Sequence, residues 1–114
     1  MMRKVSYCSR SFPLKKAFRI SRGAKNSAEV VTVELIEGGL MGRGEAVPYA
    51  RYGESVESVL EQINAIKNDL QNGIDNVYLN TLLPAGAARN AVDCALWDLE
   101  SKIKDTPVWK LLKR

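Results

Sequence analysis

Hydrophobic side chains alternate with polar ones through the first part of the chain, then switch to a three-to-four spacing, so strands are expected first and helices after. Over residues 4–20, Val5, Tyr7, Phe12, Leu14, Phe18 and Ile20 include several pairs two apart, the period that sets side chains on one face of a strand. Pro13 has no N–H to give a ladder, which places this strand at a sheet edge or bends it there. Residues 21–28, SRGAKNSA, are small, polar and cationic and read as a loop. Residues 29–37, EVVTVELIE, alternate Val31, Val33 and Leu35 with Thr32 and Glu34, the clearest strand pattern of the chain. Gly38-Gly39 then suits a two-residue hairpin, because both positions accept positive φ. Residues 40–47 form the returning strand, whose Gly42 and Gly44 predict a bulge or a close backbone approach.

Residues 48–54, PYARYGE, read as a second loop. Ser55 suits the N-cap of the helix that follows. Its buried stripe is Val56, Val59, Leu60, Ile63, Ile66 or Lys67, and Leu70, and Gly73 ends it as a C′ residue would. Residues 76–83 predict a short helix or turn. Pro84 and Gly86 open the last long helix, with a buried stripe of Ala88, Val92, Ala95, Leu96, Leu99 and Ile103. Arg89/Asp93 and Glu100/Lys104 stand as i, i+4 pairs on its other faces. Alanines at 85, 87, 88, 91 and 95 would let a neighbouring element approach closely. Pro107 breaks this helix, and residues 108–112 start one more turn.

Strands followed by helices make an α+β fold: a three-stranded antiparallel meander followed by a helical bundle packed on one face. At 114 residues a single domain over 1–114 is expected. No apolar run approaches the roughly 20 residues that span a bilayer, and the basic start lacks the apolar segment of a signal peptide. A cytoplasmic protein without a membrane partner is expected.

The chain contains no histidine, which removes the commonest general base and every Ser/His or Cys/His nucleophile pair. Cys8 and Cys94 match no metal or redox spacing and are expected as reduced, partly buried thiols. The net charge of +4 comes from cations crowding the first quarter and the end, which read as solvated surface. Tyr49 and Tyr52 around Arg51 make too small a basic-aromatic patch for nucleic acid. Asp93, Asp98 and Glu100 do not face one another on a helix, so no metal site and no catalytic residue is assigned. On composition alone the two loops could be plain solvated connections, yet loops on a rigid sheet are also natural binding elements, and Arg can grip a carboxylate bidentately.

Three segments in order, residues 18–35 (FRISRGAKNSAEVVTVEL), 42–55 (GRGEAVPYARYGES) and 86–102 (GAARNAVDCALWDLESK), resemble the N-terminal capping domain of the enolase superfamily. The likeness is to its muconate-cycloisomerase and mandelate-racemase branch and covers essentially the whole chain. The Arg-Tyr-Gly-Glu loop narrows it to the dipeptide (L-Ala-D/L-Glu) epimerases. The resemblance implies that the two loops close over a dipeptide at the mouth of a catalytic (β/α)8 barrel. Arg22 and Lys25 would then contact an acidic substrate side chain, with Tyr49, Arg51 and Tyr52 as the pocket wall.

In such enzymes a proton is abstracted α to a carboxylate, with lysines as acid and base and Mg2+ stabilising the enediolate. Those groups lie on barrel strands and match no position here. The chain continues to Lys113-Arg114 where relatives usually enter the barrel with a glycine pair. It therefore reads as a cap truncated before its barrel and inactive alone, with Mg2+ expected only in a full-length relative and no cofactor in this chain. The alternatives are a half-enzyme needing a separate barrel chain, and a stand-alone interaction module that self-associates as a dimer through apolar surface such as Trp97, Trp109 or Leu111.

Overall fold

The computed structural model describes residues 3–20 and 23–111, with the side chains of 12–28 and of Ala50 excepted. Strands β1 (Lys4–Ile20), β2 (Gly23–Glu37) and β3 (Leu40–Ala46) form one antiparallel sheet in the order β1-β2-β3. Among the described residues a 3-10 turn (Ala50–Tyr52) and five helices follow: α1 (Val56–Ala65), α2 (Lys67–Gln71), α3 (Asn76–Leu82), α4 (Ala87–Ile103) and α5 (Val108–Leu111). This is the expected meander with helices packed on it.

The loop expected at 21–28 departs from expectation over 23–28, and its first two residues lie outside the described residues. β2 already begins at Gly23, and Gly23, Ala24 and Lys25 pair with Ile20, Arg19 and Phe18. Polar, small residues carry weak strand preference, but a partner strand overrides local preference. The register shifts between Pro13 and Phe18, so β1 is both the edge strand and the irregular one that Pro13 implied.

Alternation along β2 buries Val31, Val33 and Leu35 completely. They face Val59 and Ile63 of α1 and the apolar stripe of α4 in one core. At the hairpin, Gly38 and Gly39 take φ of 58° and 81°, the primed-turn geometry that matches strand twist. The two glycines of β3 mark a close approach and not a bulge, since the β2–β3 register is continuous. A Cβ on Gly42 would overlap the Ala95 carbonyl, and one on Gly44 would overlap the Ala91 carbonyl. Hydrogen there lets the α4 backbone lie directly on β3.

The charged face of α4 also reaches β3. Residues 41 and 43 lie between the pairs that bond to β2, so their main-chain groups point away from it. Asp98 accepts from the Arg43 N–H at 2.8 Å, and Lys102 donates to the Met41 carbonyl at 2.5 Å and to Asp98 at 3.2 Å. Across the sheet, Arg3 ties the start of β1 to the helices. Its guanidinium meets Glu37 at 3.2 Å and the Ile74 carbonyl at 3.1 Å.

The helix expected to run from Val56 to Leu70 is two helices. It breaks at Ile66, where φ is −107° and ψ 11°. The apolar stripe survives the break, since Val59, Ile63, Ile66 and Leu70 are all buried. Ser55 caps α1 as expected, in a reciprocal pair with Ser58, and Gly73 follows the end of α2 with φ of 89°. Asp75 caps α3 by accepting from the Tyr78 N–H at 2.9 Å.

In α4 the stripe is buried through Leu99, but Ile103 is 48% exposed. Lys102 already stands level with Met41 near the start of β3, so Ile103 reaches the rim of the sheet. Glu100 and Lys104 pair at 2.7 Å. Arg89 and Asp93 do not, because α3 intervenes: Asn76 donates to the Asp93 carboxylate at 2.7 Å, and Arg89 turns to the Leu83 carbonyl. Cys8 and Cys94 are both exposed and free, more open than expected, since each lies on a side of its element that faces away from the core. The Cys94 thiol is still pushed up from its ordinary value by partial desolvation and then by Asp93, which lowers its thiolate fraction.

Candidate functional site

The sheet and α1 hold between them the loop at 48–54. Its 3-10 turn closes on Tyr49, whose carbonyl accepts from the N–H of Tyr52 at 3.0 Å and of Glu54 at 3.2 Å. The turn throws the side chains at 49 and 52 to the same side. Their rings meet edge to face, with centroids 4.8 Å apart and planes at 74°, the arrangement that ring quadrupoles favour. Tyr52 is 76% and Tyr49 47% exposed, and Arg51 between them is also exposed. Large aromatic area held in water beside a guanidinium does little for folding and is the composition of a contact surface.

Glu54 places this loop. Its Oε1 accepts from the Tyr49 N–H at 2.9 Å and its Oε2 from the Ala87 N–H at 2.7 Å. Ala87 is the first residue of α4, so its N–H is one of the donors a helix start leaves without an intrahelical partner, and the N-cap Gly86 brings no side-chain cap to that end. The Glu54 carboxylate supplies the missing acceptor from 33 residues away, where the helix dipole favours negative charge. Beside it runs an open groove of about 560 Å³ bounded by Tyr52, Glu54, Ser58, Gln62, Pro84 and Gly86.

Of the five residues expected at a substrate pocket, Tyr49, Arg51 and Tyr52 are brought together on this loop. Arg22 lies outside the described residues. Lys25 pairs with Phe18 through its backbone in β2, and its side chain lies outside the described residues. Sequence reasoning missed Glu54, because neither partner is at a helical or strand spacing from it. The available signal was a long helix opening on glycine, which must borrow its cap.

Among the described residues no three Cys, Asp or Glu side chains converge as a metal would need. Asp98 is bound to Arg43 and Lys102, and Asp93 to Asn76. The Mg2+ of the resemblance does not fit these residues. Nor is any helix among the described residues long and apolar enough to cross a membrane. Of the apolar residues named as a possible contact surface, Trp109 is 60% exposed, Trp97 is half-buried and Leu111 is buried.

Residues 2–113 match the family model described as Mandelate racemase / muconate lactonizing enzyme, N-terminal domain. The chain is similar to the L-Ala-D/L-Glu epimerase of Escherichia coli (strain K12), 50% identical over 101 residues that cover 89% of this chain and 32% of that protein. It superposes on an enolase family member from Agrobacterium tumefaciens with homology to dipeptide epimerases, solved with sodium and L-Ala-L-Glu. The TM-score is 0.92 at 40% identity, covering 97% of this chain and 34% of that one. A dipeptide epimerase from Methylococcus capsulatus, complexed with Mg and L-Arg-D-Lys, superposes with a TM-score of 0.83 at 28% identity, covering 100% and 35%. The chain spans about a third of the length of these relatives.

Proposed function

The chain belongs to the mandelate racemase / muconate lactonizing enzyme N-terminal domain family, and from that premise we propose that it is the substrate-selecting cap of a dipeptide-epimerase-like enzyme. The observation that carries this reading is the braced 48–54 loop. It holds Tyr49, Arg51 and Tyr52 outward on a chain half identical to an L-Ala-D/L-Glu epimerase.

In this reading the loop covers a bound dipeptide. The tyrosine pair supplies apolar walls and excludes water, as closing lids do. Arg51, with Arg22 and Lys25, supplies positive charge for an acidic side chain. In this reading the proton transfers, and the charge stabilisation that a Mg2+ would supply, would be the work of a barrel domain and not of residues of this chain. This chain's residues bind, orient and exclude water; they move no proton. The 114 residues alone should give no epimerisation.

The test is a domain exchange, in which this chain replaces the matching third of the Escherichia coli epimerase. The expected result is epimerisation of L-Ala-L-Glu, preferred over a dipeptide with an apolar second residue. A folded exchange protein that turns over no dipeptide would overturn the reading.

A second reading, self-association, is favoured by Leu40, Met41, Ile103 and Trp109, all exposed on the elements at the C-terminal end of α4. Light scattering of the 114-residue chain at high concentration would show a dimer, and a strict monomer would sink that reading.

A further inference from the structure

We infer that Glu54 is a positioning residue of the cap: its carboxylate fixes the 49–52 turn against the first turn of α4 and so sets the orientation in which Tyr49, Arg51 and Tyr52 meet a ligand. The inference rests on the substrate-facing reading of that loop.

The turn itself is poorly anchored by packing, since Tyr49, Arg51, Tyr52 and Gly53 are all exposed and Pro48 is only partly buried. Its remaining main-chain bonds, both to the Tyr49 carbonyl, are internal to it. Among the described residues, the bond from Glu54 Oε2 to the Ala87 N–H is the one side-chain tie from this loop to another element. The same carboxylate also holds the Tyr49 N–H, so one group fixes both the shape of the turn and its place on α4.

Two acceptor oxygens are needed. An ionised carboxylate offers both, whereas a glutamine of the same size offers one oxygen and an NH2 that cannot accept. Gly86 keeps the space for this group: a Cβ there would come within 2.7 Å of Oε2, closer than contact allows, so Gly86→Ala must displace the carboxylate while leaving Glu54 in the chain. The two substitutions attack one tie from opposite sides.

The test uses NMR on the 114-residue chain. Glu54→Gln and Gly86→Ala are expected to abolish the ring-to-ring NOE between Tyr49 and Tyr52. Amide exchange at Tyr49 or Ala87 should accelerate on the order of tenfold, the loss of one charge-assisted hydrogen bond. Ser55→Ala, which removes the α1 cap, and Glu61→Gln, on the same groove, are expected to leave both signals unchanged. That separates positioning from a general loss of stability. An intact NOE with unchanged exchange in Glu54→Gln overturns the inference.

In the exchange protein, Glu54→Gln is expected to raise KM for L-Ala-L-Glu about tenfold with kcat little altered, the signature of lost uniform binding. Unchanged kinetics in an active exchange protein overturn the substrate-orienting role. An inactive parent overturns the cap reading itself, and the NMR result still decides whether Glu54 sets the turn.

Discussion

The seam between α4 and β3 and the loop at 48–54 are built on opposite logic. The seam has no spare space: Gly42 and Gly44 admit the carbonyls of Ala95 and Ala91, and Leu99 is buried against the same strand. Its stability comes from packing that any added atom disturbs. The loop is open, its aromatic area is in water, and its place depends on the two acceptor oxygens of Glu54. Under the proposed substrate-selecting role, a cap that presents a fixed surface and yet tolerates changes of ligand would benefit from this division. The platform is over-determined by close packing, whereas the exposed side chains at 49, 51 and 52 can vary without cost to the fold.

Substitutions along the seam and the loop should separate the two sharply. Gly44→Leu forces a side chain into the Ala91 backbone, and neither element can yield. It should abolish cooperative folding, seen as loss of NMR dispersion and of a thermal transition. Leu99→Ala leaves a cavity beside Gly42 in the seam and should cost about 3 kcal/mol in urea denaturation. Asp98→Ala removes the acceptor for the Arg43 N–H and a partner of Lys102, both near the surface, and should cost about 1–2 kcal/mol by the same measurement. Tyr52→Ala, in the loop, should change stability by less than about 0.5 kcal/mol while lowering dipeptide turnover in the exchange protein. A Tyr52→Ala chain destabilised as much as Asp98→Ala would erase the contrast, because the loop would then belong to the core.

The platform was the legible part in sequence. Val31, Val33 and Leu35 declare their face by alternation, Gly38-Gly39 declares the turn, and the alanines of α4 with the glycines of β3 announce a close approach before its partner is known. What escaped were choices made by partners distant in sequence. Residues 23–28 look like loop because their composition is polar, yet β1 supplies the ladder that makes them strand. The break at Ile66 interrupts a stripe that stays buried on both sides, so periodicity could not reveal it. Arg89 and Asp93 have the spacing of a pair, but Asn76 from α3 competes for the carboxylate. In the candidate site, Tyr49, Arg51 and Tyr52 were visible as an unusual tripod of residue types. Glu54 was not, since its role exists only once α4 is folded beside it.

Asp98 and Lys102 have a consequence beyond holding α4 in place. They bind main-chain groups of Met41 and Arg43 that would otherwise face outward from the last strand. Unpaired groups of that kind template the docking of another chain, and natural proteins blunt them with charge. On this rim two of the outward main-chain groups, the Met41 carbonyl and the Arg43 N–H, are taken by side chains of its own helix. At the other edge, β1, Pro13 and the shifted register make a poor template. The acid and the lysine of the α4 motif thus also guard the cap against polymerising through its sheet.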